Sequence, residues 1–491
     1  MEYYLGIYGS HNSALALGCR NSKGEPKILE VVELERFVNI KNGAFSFHFP
    51  IIDGNIQIRK ILQSWQKKYN FSQFEEVLHD AVESDILQAI PFKRETHVMH
   101  HKAHTYNGFY HQREENALVI SFDGGSGDGF FNISTFTDNQ YERIGKVEID
   151  ICVPYAAVAH YLSPIKRESN WWWGNLVYPG KLMGLSSYGE YHYNYATKLE
   201  KYFRLQDRDN VNFAHENFQK VFQIDGSKRF NQRESELLAW NTQFVFEKLF
   251  KEHVTPYIEK YPHHKLIFTG GGALNIINNT KWKAFVSPNP DDRGIALGCL
   301  LTRLPIFVDS TYLGNLPYDE LPLNKKRITV EEVVGWLKDG EIIGVIQGRA
   351  EHGARALGNR SIICLPYEGF KEKLNKKVKH RESYRPFGAV CREEDAEKYF
   401  ETDEIDTRWM VNNVIVKSKD IPAVTHVDGT CRLQTVTKDS NKLLYEILGH
   451  IPVLINTSLN IQGKPIANTY HDALAIKGLD RVITDAFYIW K

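Results

Sequence analysis

The chain has 491 residues, of which 42% are hydrophobic and 24% charged, with sixty basic and sixty acidic side chains. That length exceeds one compact core and points to at least two domains, while the ordinary composition excludes a disordered or fibrous chain. A formal net charge of zero argues against a polyanion-binding surface over the whole molecule, so long DNA is disfavoured as a partner.

The N-terminus, MEYYLGIYGSHNSALALG, lacks the basic start and long apolar stretch of a signal peptide, and no later segment reaches the ~20 apolar residues of a membrane helix. Six cysteines stand singly, without a CxxC pair, which fits reduced thiols in a cytoplasmic protein. YYLGIYG, near residues 3–9, reads as a strand ending in a tight turn, and His11 follows in YGSHNSA. An imidazole there can accept the proton of a hydroxyl, although a hydrogen-bonded structural histidine fits the same position equally well.

Next comes HVMHHKAH, in which His100 and His104 lie four apart. On a helix that spacing stacks two imidazoles on one face, where they can close on one divalent ion. Asp123, about 20 residues on, and Asp292 in PNPDDRG offer carboxylates, and such a donor set suits iron, manganese or zinc. ALVISFDGGSGDG, with Gly124 and Gly125, and KLIFTGGGALN, with Gly271, Gly272 and Asn275, are strands ending in glycine-rich loops. Read as strand-to-helix turns, they can present backbone N–H groups to phosphate oxygens, although no GxxxxGK[ST] P-loop occurs. Between them, YPGKLMGLSSYG carries Lys181, a cation suited to phosphate, and Trp171, Trp172 and Trp173 form a run that cannot all face one core. A long amphipathic helix is predicted over Arg233–Lys260, with Leu237, Leu238, Phe244, Val245 and Leu249 at helical spacing.

A proline-dotted stretch over 304–326 reads as a connector and divides the chain into an N-terminal α/β unit, 1–315, and a C-terminal α/β unit, 316–491. The second unit contains GRAEHGARALGNRS, with Arg349, Arg355 and Arg360 beside Glu351 and Asn359. KVKHRESYRPFG follows with Lys379, Arg381 and Arg385, and IPVLINTSLN places Asn456 at a strand end. Arginine forks bind phosphate bidentately, so this cluster predicts a pocket for a small phosphorylated substrate. A solvated basic face is the alternative, and the interleaved Gly, Ala and Leu count against it.

Together these motifs resemble the O-carbamoyltransferase family of nodulation-factor and antibiotic-tailoring enzymes. YGSHNSA, VVELERF, HHKAH, DGGSGDG, GKLMGLSSYG, GGGALN and PDDRGIALG stand in that family's order, followed by the arginine motif, YRPFG and INTSLNIQGKPI. The resemblance implies a duplicated Kae-like domain of the actin and sugar-kinase (ASKHA) class, followed by a YrdC-like α/β domain. It also implies that carbamoyl phosphate binds at Arg349, Arg355, Lys379, Arg385 and Asn456 and that its carbamate reacts with Mg2+-ATP to give carbamoyl-adenylate. The adenylate would be held by Asp123, Gly124, Gly125, Lys181, Gly271, Gly272 and Asn275. A metal, Fe2+ ahead of Mn2+ or Zn2+, would sit on His100, His104 and Asp292, with His11 as base toward the acceptor's hydroxyl and Arg355 acting on carbamoyl phosphate. Two departures stand out: Ala354 replaces the family's proline and Asn12 its aspartate. Alternative readings are a threonylcarbamoyl-type tRNA modification enzyme and a nucleotide-binding regulator that transfers nothing. The expected acceptor is a small-molecule hydroxyl; a hydroxymethylpyrimidine, free or in DNA, is the minority alternative.

Overall fold

The computed structural model describes residues 1–42, 54–168, 174, 176–206, 210–317, 325–485 and 487–489; Trp171, Trp172 and Trp173 lie outside these. The N-terminal unit builds two five-stranded sheets. The first uses β1 (Glu2–Tyr8), β2 (Ala14–Arg20), β3 (Pro26–Glu33), β4 (Phe74–Asp80) and β5 (Phe92–His97) in the order β3-β2-β1-β4-β5. The second uses β6 (Ala117–Ser126), β7 (Gly129–Thr137), β8 (Gln140–Val147), β9 (Lys265–Thr269) and β10 (Phe285–Val286) in the order β8-β7-β6-β9-β10. In each, three antiparallel strands are extended by two parallel ones, so the second sheet repeats the topology of the first. Central strands such as β1 and β2 are buried on both faces, which is why they read as continuous apolar runs rather than as alternations.

Two helices fill the space between these sheets. Ile295–Leu301, buried at all seven positions, lies on β1, and His100–Phe109 lies on β6 and β9. They cross at Gly298, where a Cβ would stand 2.0 Å from the carbonyl oxygen of Ala103. Any side chain there would push the helices apart, and the mouth of the crevice would move with them. The predicted long helix runs Gln232–Lys260, opened by an Asn231 capping box; of its predicted core residues, Leu238, Val245 and Leu249 are buried, whereas Phe244 is exposed and stacks on Trp240.

DGGSGDG departs from expectation. It turns β6 back into the antiparallel β7 instead of leading into a helix, because the pairing resumes at Ser126 and Gly129 across a bulge, with Gly125 at φ +103°. The GGG motif does form a strand-to-helix turn: β9 passes through Gly271–Leu274 into the Ile276–Trp282 helix.

Residues from 325 onward form a third, ten-stranded mixed sheet. Its central strands are Ile343–Ile346, Arg360–Cys364, Val453–Ser458, Gly388–Arg392 and Thr430–Val436. Alternate residues such as Val345, Ile363 and Leu454 face the Val330–Lys338 and Lys442–Leu448 helices, while Ile346, Ile362 and Ile455 feed a second core. The two units are sewn together where Asn279 donates to the carbonyl of Val411 (2.9 Å) and Thr280 exchanges hydrogen bonds with Asn413. Trp409, Met410 and Val411 also enter the hydrophobic core of the second N-terminal sheet. All six cysteines are free thiols, and no helix among the described residues is long and apolar enough to cross a membrane.

Candidate active site

The crevice between the duplicated sheets gathers His100, His104, Asp123 and Asp292, each offering one ligand atom, all within 4.8 Å of one another. The helix N-terminus supplies both imidazoles as predicted, β6 supplies Asp123, and the turn before Ile295–Leu301 supplies Asp292. His104 Nε2 lies 3.3 Å from Asp123 and 3.5 Å from Asp292; His100 Nε2 lies 3.9 and 3.8 Å from the same two. Behind His100, its Nδ1 meets Asp80 at 3.0 Å, which orients Nε2 into the cluster. His104 is fully buried, and neither ring nitrogen has a hydrogen-bond partner among the described residues. Buried polar atoms are rarely left so, and a cation among the carboxylates would satisfy Nε2: the donor set fits a divalent metal.

The electrostatics agree. Burial opposes charging of His100 and His104, yet Asp123 and its fellow carboxylates hold both imidazoles above their ordinary range, His100 well above. Burial would raise the carboxylates, and the imidazoles instead hold Asp123 well below, and Asp292 below, the usual range. The carboxylates thus favour positive charge at this point, and a bound cation would be met by the same field. Asp123, expected from the resemblance to hold a nucleotide, is a member of this cluster; its two oxygens also accept the amides of Gly124 (2.6 Å) and Gly271 (2.7 Å). Sequence reasoning missed Tyr8 and Asp80. Tyr8 donates to Asp292 at 2.6 Å, and His11 Nε2 lies 3.3 Å from the same oxygen. Asn12 takes the left-handed backbone (φ +58°), which Asn tolerates well, and its amide lies 3.4 Å from His11 Nδ1.

The remaining predicted nucleotide residues divide. Gly272 cannot carry a side chain, since its Cβ would stand 2.3 Å from the ring of Phe122. Asn275 caps the Ile276–Trp282 helix and exchanges amide hydrogen bonds with Gln243. Lys181, buried on the Pro179–Ser186 helix, ion-pairs with Glu382 of the C-terminal unit at 3.1 Å.

Between the two units lies a cavity of about 260 Å³. Among the described residues seven cations line it, Lys41, Arg293, Arg355, Arg381, Arg385, Arg432 and Lys464, against two carboxylates, Glu35 and Asp428. Nε of Arg355, Arg381 and Arg432 is buried with no hydrogen-bond partner among the described residues. Burial, then repulsion among the guanidinium groups, pulls Arg355 and Arg381 well below the ordinary arginine range and Arg432 down to about 10. Such crowding is costly without a counter-anion, so the cavity is built for one.

Arg355, Arg385 and Asn456 line the cavity as predicted, with the Asn456 Oδ1 unpartnered among the described residues. Lys379 stands one layer back, its ammonium bonded to Ser458 and Asn460, both of which line the wall. Arg349 is a correction: it is not among the lining residues, because its guanidinium donates to the carbonyls of Gly314 (2.9 Å), Leu29 (2.7 Å) and Leu313. Arg360, fully buried where Arg349 is half-buried, likewise donates to main-chain carbonyls, those of Gln347 and Asn359. Arg432 and Arg293 escaped the sequence reading because each stands alone in its motif; only the fold brings them to the cluster.

The cluster and the cavity are braced together. Arg293, one residue from Asp292, pairs with Asp291 and Glu35, while Arg36 pairs with Glu33 and donates to the carbonyls of Glu351 (2.7 Å) and Gly353 (2.6 Å). His352 closes the contact, bonding Asn289 and the carbonyl of Arg293 at 2.7 and 2.8 Å. VVELERF, PDDRG and the arginine motif therefore form one buried polar core.

Comparisons with known proteins give two family matches along the chain. The family profile for the carbamoyltransferase N-terminus matches residues 58–301, and that for the carbamoyltransferase C-terminus matches 334–491. The chain belongs to the carbamoyltransferase family. Among its relatives, the nodulation protein NolO of Bradyrhizobium diazoefficiens is 27% identical over 80% of this chain and 78% of its own. An uncharacterized protein of Methanocaldococcus jannaschii is 31% identical over 78% and 80%. The 3'-hydroxymethylcephem-O-carbamoyltransferase of Amycolatopsis lactamdurans is 32% identical over 49% of this carbamoyltransferase and 52% of its own chain. Likeness to solved structures is remote: component A of the (R)-2-hydroxyglutaryl-CoA dehydratase of Acidaminococcus fermentans covers 62% of this chain, and is itself covered to 97%, with a TM-score of 0.35.

Proposed function

We propose that this carbamoyltransferase is an ATP-dependent O-carbamoyltransferase that draws on carbamoyl phosphate and delivers the carbamoyl group to a hydroxyl of a small-molecule acceptor. The observation that carries this reading is the arginine cavity, whose crowded guanidiniums, with the Nε atoms of Arg355, Arg381 and Arg432 unpartnered among the described residues, call for a small, highly charged anion. Carbamoyl phosphate loses phosphate there to water, giving carbamate. Carbamate attacks the α-phosphorus of ATP, forming carbamoyl-adenylate and releasing pyrophosphate. The acceptor hydroxyl then attacks the carbamoyl carbon and AMP leaves.

The chain's residues divide this work between two places. Arg355, Arg385, Arg381 and Arg432 hold the phosphate group in a site shielded from bulk water. In the duplicated, ASKHA-like unit the Gly271–Gly272 turn takes the adenylate, with Lys181 as its cation. His11 accepts the acceptor's proton at Nε2, beside the Asp292 carboxylate. Polarisation of a carbonyl oxygen is the chemistry that a divalent ion held by His100, His104, Asp123 and Asp292 supplies when bound, Fe2+ being our first choice. The YrdC-like character of the C-terminal unit is part of the same reading. An acceptor with a primary hydroxyl accords with the name of the hydroxymethylcephem relative.

The test is product analysis of the purified protein with ATP, carbamoyl phosphate and a divalent metal, comparing wild type with Arg355→Ala. AMP and pyrophosphate that depend on carbamoyl phosphate and vanish in the variant are the expected result. ADP formed regardless of carbamoyl phosphate would refute the transferase mechanism and favour a nucleotide-driven regulator.

A further inference from the structure

The short wall formed by residues 381–387 separates two cavities. Arg381, Arg385, Pro386 and Phe387 face the arginine cavity, whereas Glu382, Ser383 and Tyr384 face an open neighbouring cavity of about 380 Å³. Glu382 reaches across this wall to two cations at once. One oxygen lies 3.1 Å from Lys181 of the N-terminal unit, the other 3.6 Å from Arg385. Its side chain is 11% exposed, so little solvent screens these contacts. The two carboxylates that line the arginine cavity are differently placed: Glu35 accepts the Asn42 amide and faces Arg293, and Asp428 is bonded by Ser187 and Thr430. Glu382 alone among these three is divided between cations of the two units.

We propose that Glu382 is a built-in counter-anion, shared between Lys181 and Arg385, that competes with a bound phosphate group for the cavity's cations and so sets the affinity of the site. This rests on the reading that the arginine cavity takes a phosphate-bearing ligand. In the ligand-free protein, Glu382 partly neutralises a crowd of guanidiniums that otherwise repel one another. An arriving phosphate is attracted by the arginines and repelled by Glu382, which has room to withdraw from Arg385 toward the neighbouring cavity. Lys181 opposes this competition by holding the carboxylate on its own side. Glu382 is therefore a positioning residue that links occupancy of the anion cavity to the state of Lys181, a coupling that must run in both directions.

The measurement is calorimetric titration of the full chain with inorganic phosphate, needing neither ATP nor turnover. Glu382→Gln is expected to bind phosphate about tenfold tighter, the scale of one like charge removed near a dianion in a partly screened site. Lys181→Met should weaken phosphate binding several-fold in the native background, by leaving Glu382 to Arg385, and have little effect once Glu382 is Gln. A merely structural Glu382 cannot give tighter binding on removal. Should the Gln variant fail to fold, Glu382→Asp, which withdraws the charge by one methylene, is expected to show a smaller tightening. A folded Gln or Asp variant that binds phosphate no tighter than wild type overturns the proposal while leaving the anion cavity intact. Absence of phosphate binding in wild type and variants alike overturns the cavity reading as well.

Discussion

The histidine–carboxylate cluster and the arginine cavity are both buried and both highly charged, yet they hold their charge in opposite ways. In the cluster, two carboxylates face two imidazoles, and each kind of group favours the charged form of the other. In the cavity, guanidinium faces guanidinium, and the neighbours disfavour charge. The first arrangement is satisfied by a cation held among its own donors; the second, offset only in part by Glu382, is completed by an anion brought from outside. A protein can keep such an uncompensated cavity because its fold energy is supplied elsewhere, here by the two cores flanking the ten-stranded sheet.

The strongest way to break this contrast is at Asp292, which belongs to the cluster, accepts from Tyr8 and faces His11. Asp292→Asn keeps the shape and removes the charge. Metal content after purification should fall, and carbamoyl transfer should drop by about a hundredfold or more, while phosphate binding in the arginine cavity stays near wild type. Loss of phosphate binding in this variant would show the two sites to be one energetic unit. Arg355→Met should do the reverse. Removing a buried cation crowded by Arg432 and Arg293 is expected to raise the apparent KM for carbamoyl phosphate roughly 10- to 100-fold, the worth of a charged hydrogen-bonding fork. The same change should raise the melting temperature of the ligand-free chain by about one to three degrees, because an uncompensated charge is gone. Differential scanning calorimetry with and without phosphate checks both signs: wild type should be stabilised by phosphate and the variant should not.

How much of this contrast is legible in the sequence depends on how local each feature is. His100 and His104 are readable because four residues on a helix fix their separation, and Arg355 and Arg385 are readable because their motifs are dense in cations. Arg349 and Arg360 belong to the same dense motif but bond to main-chain carbonyls, a distinction that the motif's composition does not contain. Arg432, two strands over from Asn456 with the Gly388–Arg392 strand between them, reaches the cavity by sheet topology alone. The duplication is hinted at by YGSHNS and DGGSGDG, each of which follows one strand and precedes another, and becomes evident in the repeated strand order. DGGSGDG was misleading because glycines suit a hairpin bulge as well as a phosphate-facing turn.

Gly272 sharpens the comparison from the side of packing. A Cβ on its neighbour Gly271 would stand 3.0 Å from the Asp123 carboxylate, but one on Gly272 would stand 2.3 Å from the fully buried Phe122 ring. Gly272→Ala should therefore cost about 1 to 3 kcal/mol of stability by overpacking and shift the turn that presents the Gly271 amide to Asp123. Weaker nucleotide binding with unchanged phosphate binding, measured by titration, is the expected signature.

The smallest effect concerns the joint between the two sites. His352 is fully enclosed, and burial, helped by the nearby cations Arg36 and Arg293, pushes its imidazole down to about 3 against the backbone hydrogen bond that favours charge. It is thus neutral in the folded chain, bonded to Asn289 and to the carbonyl of Arg293. The unfolded chain, whose histidine has an ordinary affinity for protons, takes one up as pH falls below ~6.5, whereas the folded chain does not until about pH 3. Stability from this residue is complete above that upper value and is lost toward lower pH, at no more than ~1.4 kcal/mol per pH unit. His111, His160 and His215 are depressed in the same direction, so the wild-type slope alone cannot isolate His352. The difference between wild type and His352→Gln can: denaturant titrations at pH 7 and pH 5 should give a variant whose stability falls less between the two by about one proton's worth. An identical slope would mean that the joint opens at mild acidity and that the cluster and the cavity are held together by the Arg36 and Arg293 pairs without it.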